Sequence, residues 1–449
     1  MSKPLRIALI SEHASPLACI GGADAGGQNI YVDHVARILA ARGHRVDVFT
    51  RRDAASAPTE VVLAPRLRVI HVPAGPACFI PKEAMFEHMP AFARATERIA
   101  AGASYDLVHA NFFMSGMVAR HLQRRLGLPF VMTFHALGLV RRLHQQDADT
   151  FPIARIEVER SIVRDADAII AECPQDWDDL ARLYGAPEDR LTMVPCGFDS
   201  GEFSPMPRAR AREQLGLPQD EFIVLQLGRL VPRKGIDNVI RAIALARDLL
   251  PRTARLRLLV VGGDGPVPDE TKTPEIGRLR RIAMECGVSG QVTFTGHRQR
   301  AELRCHYAAS DVFATTPWYE PFGITPLEAM ACNIPVLASR VGGLKYSVAD
   351  GATGFLVPPR DPQALAWRIA ELQQNPVLSA ALGYAGGRRA RAMFTWDRVV
   401  DSLLDVYAAV RQPRPGARRG ARETVLVPGR ALERRGIGER AIAAKGAAQ

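Results

Sequence analysis

Short apolar β-runs alternate with amphipathic helical runs along this chain, in two successive sets, and no other feature constrains its fold as strongly. Arg6–Ser11 (RIALIS), Arg45–Arg51 (RVDVFTR), Leu107–Ala110, Phe130–Phe134 and Ala168–Ala171 read as strands of a first set. Phe222–Leu227 (FIVLQL), Arg257–Val261, Val292–Thr295, Val312–Thr315 and Pro335–Ala338 read as strands of a second. Helical periodicity separates them, as in the run from about Asn29 to Ala41 that Gly43 stops. Such alternation builds βαβ units, whose crossovers make the strands parallel and cover the sheet faces with helices. At 449 residues the chain exceeds one ordinary α/β domain. The expected fold class is therefore α/β, with two Rossmann-like domains facing each other across a cleft. Ligands of such sheets bind beyond the carboxyl ends of the strands.

Val194–Leu217, rich in Gly, Pro, Ser and Arg, reads as the linker. The expected domains are 1–200 and 201–395, followed by a helix over 396–411 long enough to return to the first domain. Residues 412–449 read as a disordered basic tail. The chain carries a net charge of +11; from Arg411 to Gln449 ten Lys/Arg against three Asp/Glu give +7, leaving +4 for the other 410 residues. The basic character belongs to the tail, and no nucleic-acid groove is expected. Seven cysteines (19, 78, 173, 196, 286, 305 and 332) lie far apart without a C-x-x-C, the pattern of reduced thiols in a cytoplasmic protein. No run of eighteen apolar residues and no signal-peptide pattern is present.

Four segments carry chemistry. Glu320-Pro-Phe-Gly-Ile-Thr-Pro-Leu-Glu328 follows the strand DVFATTP and opens a helix. Gly323 allows close backbone approach, and the free N–H groups of the helix start make an anion site with a carboxylate at either end. Acidic capping of a helix would give the same residues without a ligand. Gly228-Arg229-Leu-Val-Pro-Arg-Lys234-Gly235 follows FIVLQL and sets a guanidinium and an ammonium over the same sheet edge, suited to a diphosphate or to a solvated turn. Gly21-Gly-Ala-Asp24-Ala-Gly26-Gly27-Gln-Asn29 is a Gly-rich loop, but Asp24 and Ala25 break G-x-G-x-x-G. Thr133-Phe134-His135 ends a strand with a histidine able to meet a sugar hydroxyl or to serve structure alone. Asp147-Ala-Asp149 and Asp165-Ala-Asp167 match D-x-D but sit in or beside helix or loop, and read as ordinary surface acids. A dinucleotide-binding oxidoreductase is an alternative, with Asp47 as its ribose acid; a nucleotide-sugar sensor without activity is another.

Taken together, E-x7-E at Glu320 and Glu328, R-x4-K at Arg229 and Lys234, and G-G-Q-N at Gly26–Asn29 resemble the retaining glycosyltransferases of family four, in the group of sucrose-phosphate synthases and inositol-phosphate glycosyltransferases. The resemblance runs from about Leu5 to Val410 and implies the GT-B architecture, with the C-terminal helix crossing back. It implies transfer of a hexosyl group from a nucleotide-diphosphate sugar, expected to be a UDP-sugar, to a hydroxyl of a small-molecule, lipid or saccharide acceptor. No metal and no cofactor beyond that co-substrate are expected. Glu320 resembles the carboxylate holding donor-sugar hydroxyls, Glu328 the one holding the ribose, and Arg229 and Lys234 the pair neutralising the diphosphate. Gly27, Asn29, Gly323 and Ile324 complete the donor side, and His135 stands beside the reaction centre. Retention implies front-face substitution, in which the leaving phosphate helps to deprotonate the acceptor. Lys82 and Arg155 match two of four residues that hold an acceptor phosphate in the inositol-phosphate enzymes. Phe112 and Ala136 replace the tyrosine and threonine, so inositol phosphate is not the expected acceptor.

The tail from Pro413 reads as a dispensable solvated extension or as an electrostatic tether to anionic membrane or nucleic acid, each basic residue near an acidic lipid surface contributing roughly 1 kcal/mol. Truncation after Gln412 should preserve the melting temperature and turnover on soluble substrates while abolishing salt-sensitive binding to anionic vesicles. Loss of folding or of that turnover would make the tail part of the fold.

Overall fold

The computed structural model describes residues 3–18, 26–146 and 149–412. Cys19, Gly21, Gly22, Asp24, Ala25, Asp147 and the basic tail lie outside the described residues.

The first sheet has eight strands: β1 Arg6–Ile10, β2 Arg45–Arg51, β3 Glu60–Ala64, β4 Leu67–Val72, β5 Leu107–Asn111, β6 Phe130–Thr133, β7 Ala168–Ala171 and β8 Leu191–Met193. Their order is β3-β4-β2-β1-β5-β6-β7-β8, parallel except for the β3–β4 pair. The second sheet has six: β9 Phe222–Leu227, β10 Leu256–Val261, β11 Val292–Gly296, β12 Val312–Thr315, β13 Val336–Ser339 and β14 Gly354–Val357. Its order is β11-β10-β9-β12-β13-β14, with every pairing parallel. β1, β9 and β12 are apolar nearly throughout because helices cover both of their faces. In each sheet the order reverses beside the first strand, between β1 and β5 and between β9 and β12, and the chain leaves the sheet there into the segments with the chemical motifs.

Four strands escape the sequence reading. β3 is half-exposed, β8 and β14 have three and four residues, and Arg68 and His71 interrupt the apolar run of β4. The expected linker also contains a helix, Arg208–Leu215. Arg212 fixes it by donating to Ala309 O at 2.9 Å and pairing with Asp311 at 2.6 Å, so this segment belongs with the second sheet.

The final helix, Trp396–Arg411, packs on Gly27–Ala41. Val399, Val400 and Leu403 share one apolar cluster with Val35 and Leu39 and with Ile7, Leu9, Val46 and Val48 of the first sheet. Arg42 pairs with Asp397 at 3.1 Å and Asp401 at 2.5 Å, and Tyr407 Oη lies 2.7 Å from the buried His109 Nδ1. The returning chain runs against the outgoing one: Phe198 N–H donates to Phe394 O (2.8 Å) and Trp396 N–H to Phe198 O (3.2 Å). A Cβ at Gly197 would stand 2.8 Å from Trp396, so glycine permits this crossing. No helix among the described residues is long and apolar enough to cross a membrane.

Candidate active site

A cavity of about 300 Å³ opens between the carboxyl ends of the two sheets. Of the residues singled out in the sequence, Gly27, Asn29, Lys82, His135, Arg229, Lys234, Glu320, Gly323, Ile324 and Glu328 line it; Arg155 does not.

The second sheet supplies the charges. The Glu320 carboxylate accepts from the Lys234 ammonium, and both side chains are largely buried. Burial pushes the Glu320 carboxyl up, but Lys234, Arg233 and Arg229 together outweigh it and hold the group below the usual carboxylate range. Burial lowers Lys234, with the Glu320 charge resisting. The loop carrying Glu320 rests on Val341-Gly342-Gly343: Gly343 N–H donates to Glu320 O at 3.1 Å, and a Cβ at Gly342 would fall 1.9 Å from that oxygen. Gly323 starts the helix Ile324–Ala331 at φ +92, open to glycine and strained for other residues. Inside that helix Glu328 is buried and accepts from Tyr307 Oη (2.8 Å) and Arg300 Nη1 (3.0 Å). Arg300 also reaches Glu202 at 2.5 Å and lies over the Phe203 ring at 4.9 Å. Burial disfavours the Arg300 charge, yet Glu328 and Glu202 more than restore it.

The first sheet closes the other side. A Cβ at Gly26 would stand 3.8 Å from Arg229 Nε and one at Gly27 3.5 Å from Ile324 Cδ1, so this loop faces the donor residues across the cleft. Asn29 spends its amide on the helix start, accepting from Gly26 N–H at 2.9 Å and donating to Ser15 O at 3.0 Å. His135 sits past β6 at φ +57, between Glu172 at the end of β7 and Asn111 at the end of β5. Both neighbours, like Arg300, Tyr307 and Gly342–Gly343, escaped the sequence reading. Their partners are distant in the chain; for Glu172 the only sequence signal is an acid ending the strand AIIAE.

Two sequence readings are corrected here. Arg155, expected on the acceptor side, is 1% exposed. Its guanidinium lies 4.5–5.0 Å from the ring centres of Phe112, Phe113 and Phe151, donates to Glu159 and to Ala136 O, and meets no cleft. Phenylalanine at 112 covers it. Asp149 is no surface acid: it is buried and pairs with the cleft-lining Arg141 at 3.0 Å. Asp165 and Asp167 hold Arg120 and Phe130 N–H, and Asp47 holds Arg68 and Tyr105, so all three are structural.

Among the described residues His34, Asp199 and Glu202 form a group with metal-ligand chemistry. Arg300 already pairs with Glu202 at 2.5 Å, and the His34 ring stacks on Trp396, so these two side chains have protein partners.

Comparison with known proteins agrees with this architecture. Residues 207–389 match the family described as glycosyl transferases group 1, and residues 25–202 match Glycosyltransferase Family 4. The chain is 39% identical over 410 residues to the D-inositol 3-phosphate glycosyltransferase of Acidothermus cellulolyticus, covering 90% of each. It is 37% identical over 417 residues to that of Streptomyces avermitilis, covering 92% of this chain and 89% of that one. Among solved structures, sucrose-phosphate synthase from Thermosynechococcus elongatus superposes with TM-score 0.83 at 36% identity, over 90% of this chain and 99% of that one. Anabaena HepE in complex with UDP and glucose shares the fold, with TM-score 0.70 at 22% identity over 90% of this chain and all of that one.

Lys234→Met removes the direct cation from Glu320. Breaking one side of a buried pair costs about 3–5 kcal/mol, which denaturant unfolding at pH 7 should register. The folded-state pKa of Glu320 is depressed, so its contribution to stability is complete above the ordinary carboxylate pKa and is lost as pH falls through the lowered value. The variant should therefore show a shallower loss of stability on acidification than the unsubstituted protein. Equal acid slopes would show that Lys234 does not set the state of Glu320.

Proposed function

Because the chain belongs to glycosyltransferase family 4, with two Rossmann-like sheets in the GT-B arrangement, we propose that it moves a hexosyl group from a UDP-sugar to a hydroxyl acceptor, with retention and without a metal. The observation that carries this reading is the charge pattern of the cleft. Arg229 and Lys234 stand at one edge, the glycine-opened helix start at Gly26–Gly27 faces Arg229, and Glu320 and Glu328 project from the intervening loop and helix.

In this scheme Arg229, Lys234 and the N–H groups of the helix starts stabilise negative charge on the departing diphosphate, the role a divalent ion has in other transferases. Glu328 receives the ribose hydroxyls, its carboxylate already oriented by Tyr307 and Arg300. Glu320 binds hydroxyls of the donor sugar, and the leaving phosphate oxygen takes the acceptor proton on the same face. Positioning and fixed charge then supply most of the catalysis. The complex of HepE with UDP supports the choice of base.

On the acceptor side the cleft offers Lys82 and Arg141, while the Phe112 and Ala136 side chains bring no hydrogen-bond donor and Arg155 is enclosed. We therefore propose an acceptor other than the D-inositol 3-phosphate of the relatives' names. The described cysteines are free thiols, which supports a reducing, cytoplasmic setting.

Glu320→Gln should lower transfer by at least about 100-fold while UDP affinity, measured by calorimetry, stays within about threefold, because its contacts are to the sugar and count most in the transition state. An equal loss of UDP binding in a folded variant would remove Glu320 from that role. Turnover should also persist in excess EDTA; activity lost there and restored by Mg²⁺ or Mn²⁺ would refute the metal-free scheme.

A further inference from the structure

Both ring nitrogens of His135 are committed. Nδ1 lies 2.8 Å from Glu172 Oε1, and Nε2 lies 3.1 Å from Asn111 Oδ1. Glu172 is 2% exposed, and the same Oε1 that faces Nδ1 also accepts from Cys196 Sγ at 3.1 Å, so this oxygen stands as an acceptor. At the other nitrogen the Asn111 amide orientation decides the chemistry. Asn111 Nδ2 donates to Ile10 O at 3.4 Å; the flipped amide would set oxygen against oxygen there. The amide oxygen therefore faces the histidine, and it too only accepts. Two acceptors require two N–H donors, and an imidazole has two only when it is protonated.

The surroundings suit that charge. Tyr31, from the helix Gly27–Ala41, packs its ring 4.8 Å from His135 at 71°, a T-shaped contact that keeps the histidine ring in place. His109 on β5 adds no competing charge: it is bonded to Tyr407 Oη (2.7 Å) and Thr133 Oγ1 (2.9 Å), and burial, with His135, pushes it down to about 3. Cys196 Sγ donates to Glu172 at 3.1 Å, and burial pushes this thiol well up. Asp176, whose carboxylate accepts from Glu172 N–H, is pushed up to about 8 by burial and by the Glu172 charge. From the second sheet Glu320 adds negative charge. Glu172 thus stands directly against the His135 ring.

We propose that Asn111 is a positioning residue that, with Glu172, fixes His135 as an imidazolium, so that this histidine serves the cleft as a standing cation and does not take a proton from the acceptor. Its positive field adds to that of Arg229 and Lys234 on the diphosphate, a role that rests on the transferase reading above. The protonation itself does not rest on that reading.

The decisive experiment is ligand-free NMR of the full chain labelled with ¹⁵N-histidine, with His135 assigned by the signals lost in His135→Gln. At pH 7 both ring nitrogens should carry protons. Asn111→Leu removes one acceptor of a charged hydrogen bond and should lower the His135 titration midpoint by about one to two pH units, whereas Asn111→Asp, which keeps an oxygen there, should not lower it. An unprotonated ring nitrogen at pH 7 in the unsubstituted protein overturns the proposal, as does a midpoint unmoved in Asn111→Leu. Should the leucine variant fail to fold, the spectra of the unsubstituted protein and Asn111→Asp still decide. Donor turnover should fall on the alkaline side at the same midpoint. Turnover without that fall removes the charge from transfer, and a protein that turns over no UDP-sugar counts against the transferase scheme while the spectra stand.

Discussion

Taking a carboxylate out of water costs several kcal/mol unless cations stand against it, and the cleft is organised around meeting that demand for Glu320. Lys234 contacts it directly, and Arg233 and Arg229 add their fields. The cations need a sheet edge and a tight turn to hold them: Gly235, at φ +64, comes so near Thr316 that a Cβ would lie 2.0 Å from its carbonyl oxygen. The carboxylate needs a loop that cannot drift, which Gly342 and Gly343 provide from beyond β13. Three separate crossovers of the second sheet are thus locked by one charge balance. Removing Lys234 or Glu320 alone would leave its buried partner unanswered.

A second arrangement of the same kind lies across the cleft. Glu172, Asn111 and His135 end three neighbouring strands, β7, β5 and β6, and their side chains close on one another. The non-glycine residues Phe112 and His135 adopt positive φ there, conformations that cost energy and persist only where packing over-determines them. The strand ends of the first sheet are therefore set by side-chain chemistry as much as by the β ladder.

The parts of this molecule that were legible in the sequence are those whose partners are close in the chain. Glu320 and Glu328, and Arg229 and Lys234, announce themselves by spacing, because each pair straddles one strand-to-helix turn. The βαβ rhythm gave both sheets for a similar reason, missing only strands too short or too interrupted to show a run. Contacts made across the fold left no such mark: Arg300 on Glu328, Glu172 on His135 and the Gly342 loop under Glu320 join separate crossovers. Arg155 shows the opposite failure. Its position in the chain matches a phosphate ligand, but Phe112, Phe113 and Phe151 enclose its guanidinium, and two of those rings lie some forty residues earlier in the chain.

The crossing at Gly197 and Trp396 has a mechanical meaning. The chain passes between the two sheets twice, and the passages run side by side, hydrogen-bonded through Phe198. Tethers placed apart would brace the halves like a strap; adjacent ones act together as a single pin, and the other constraints on the halves are side-chain contacts such as Lys345 with Gln175 and His144 with Tyr319. Rotation about that pin alters the gap at the mouth far more than at the root. Because Gly26–Gly27 and Arg229 lie on opposite lips, a small turn there decides whether the helix start and the guanidinium address one anion together or stand apart.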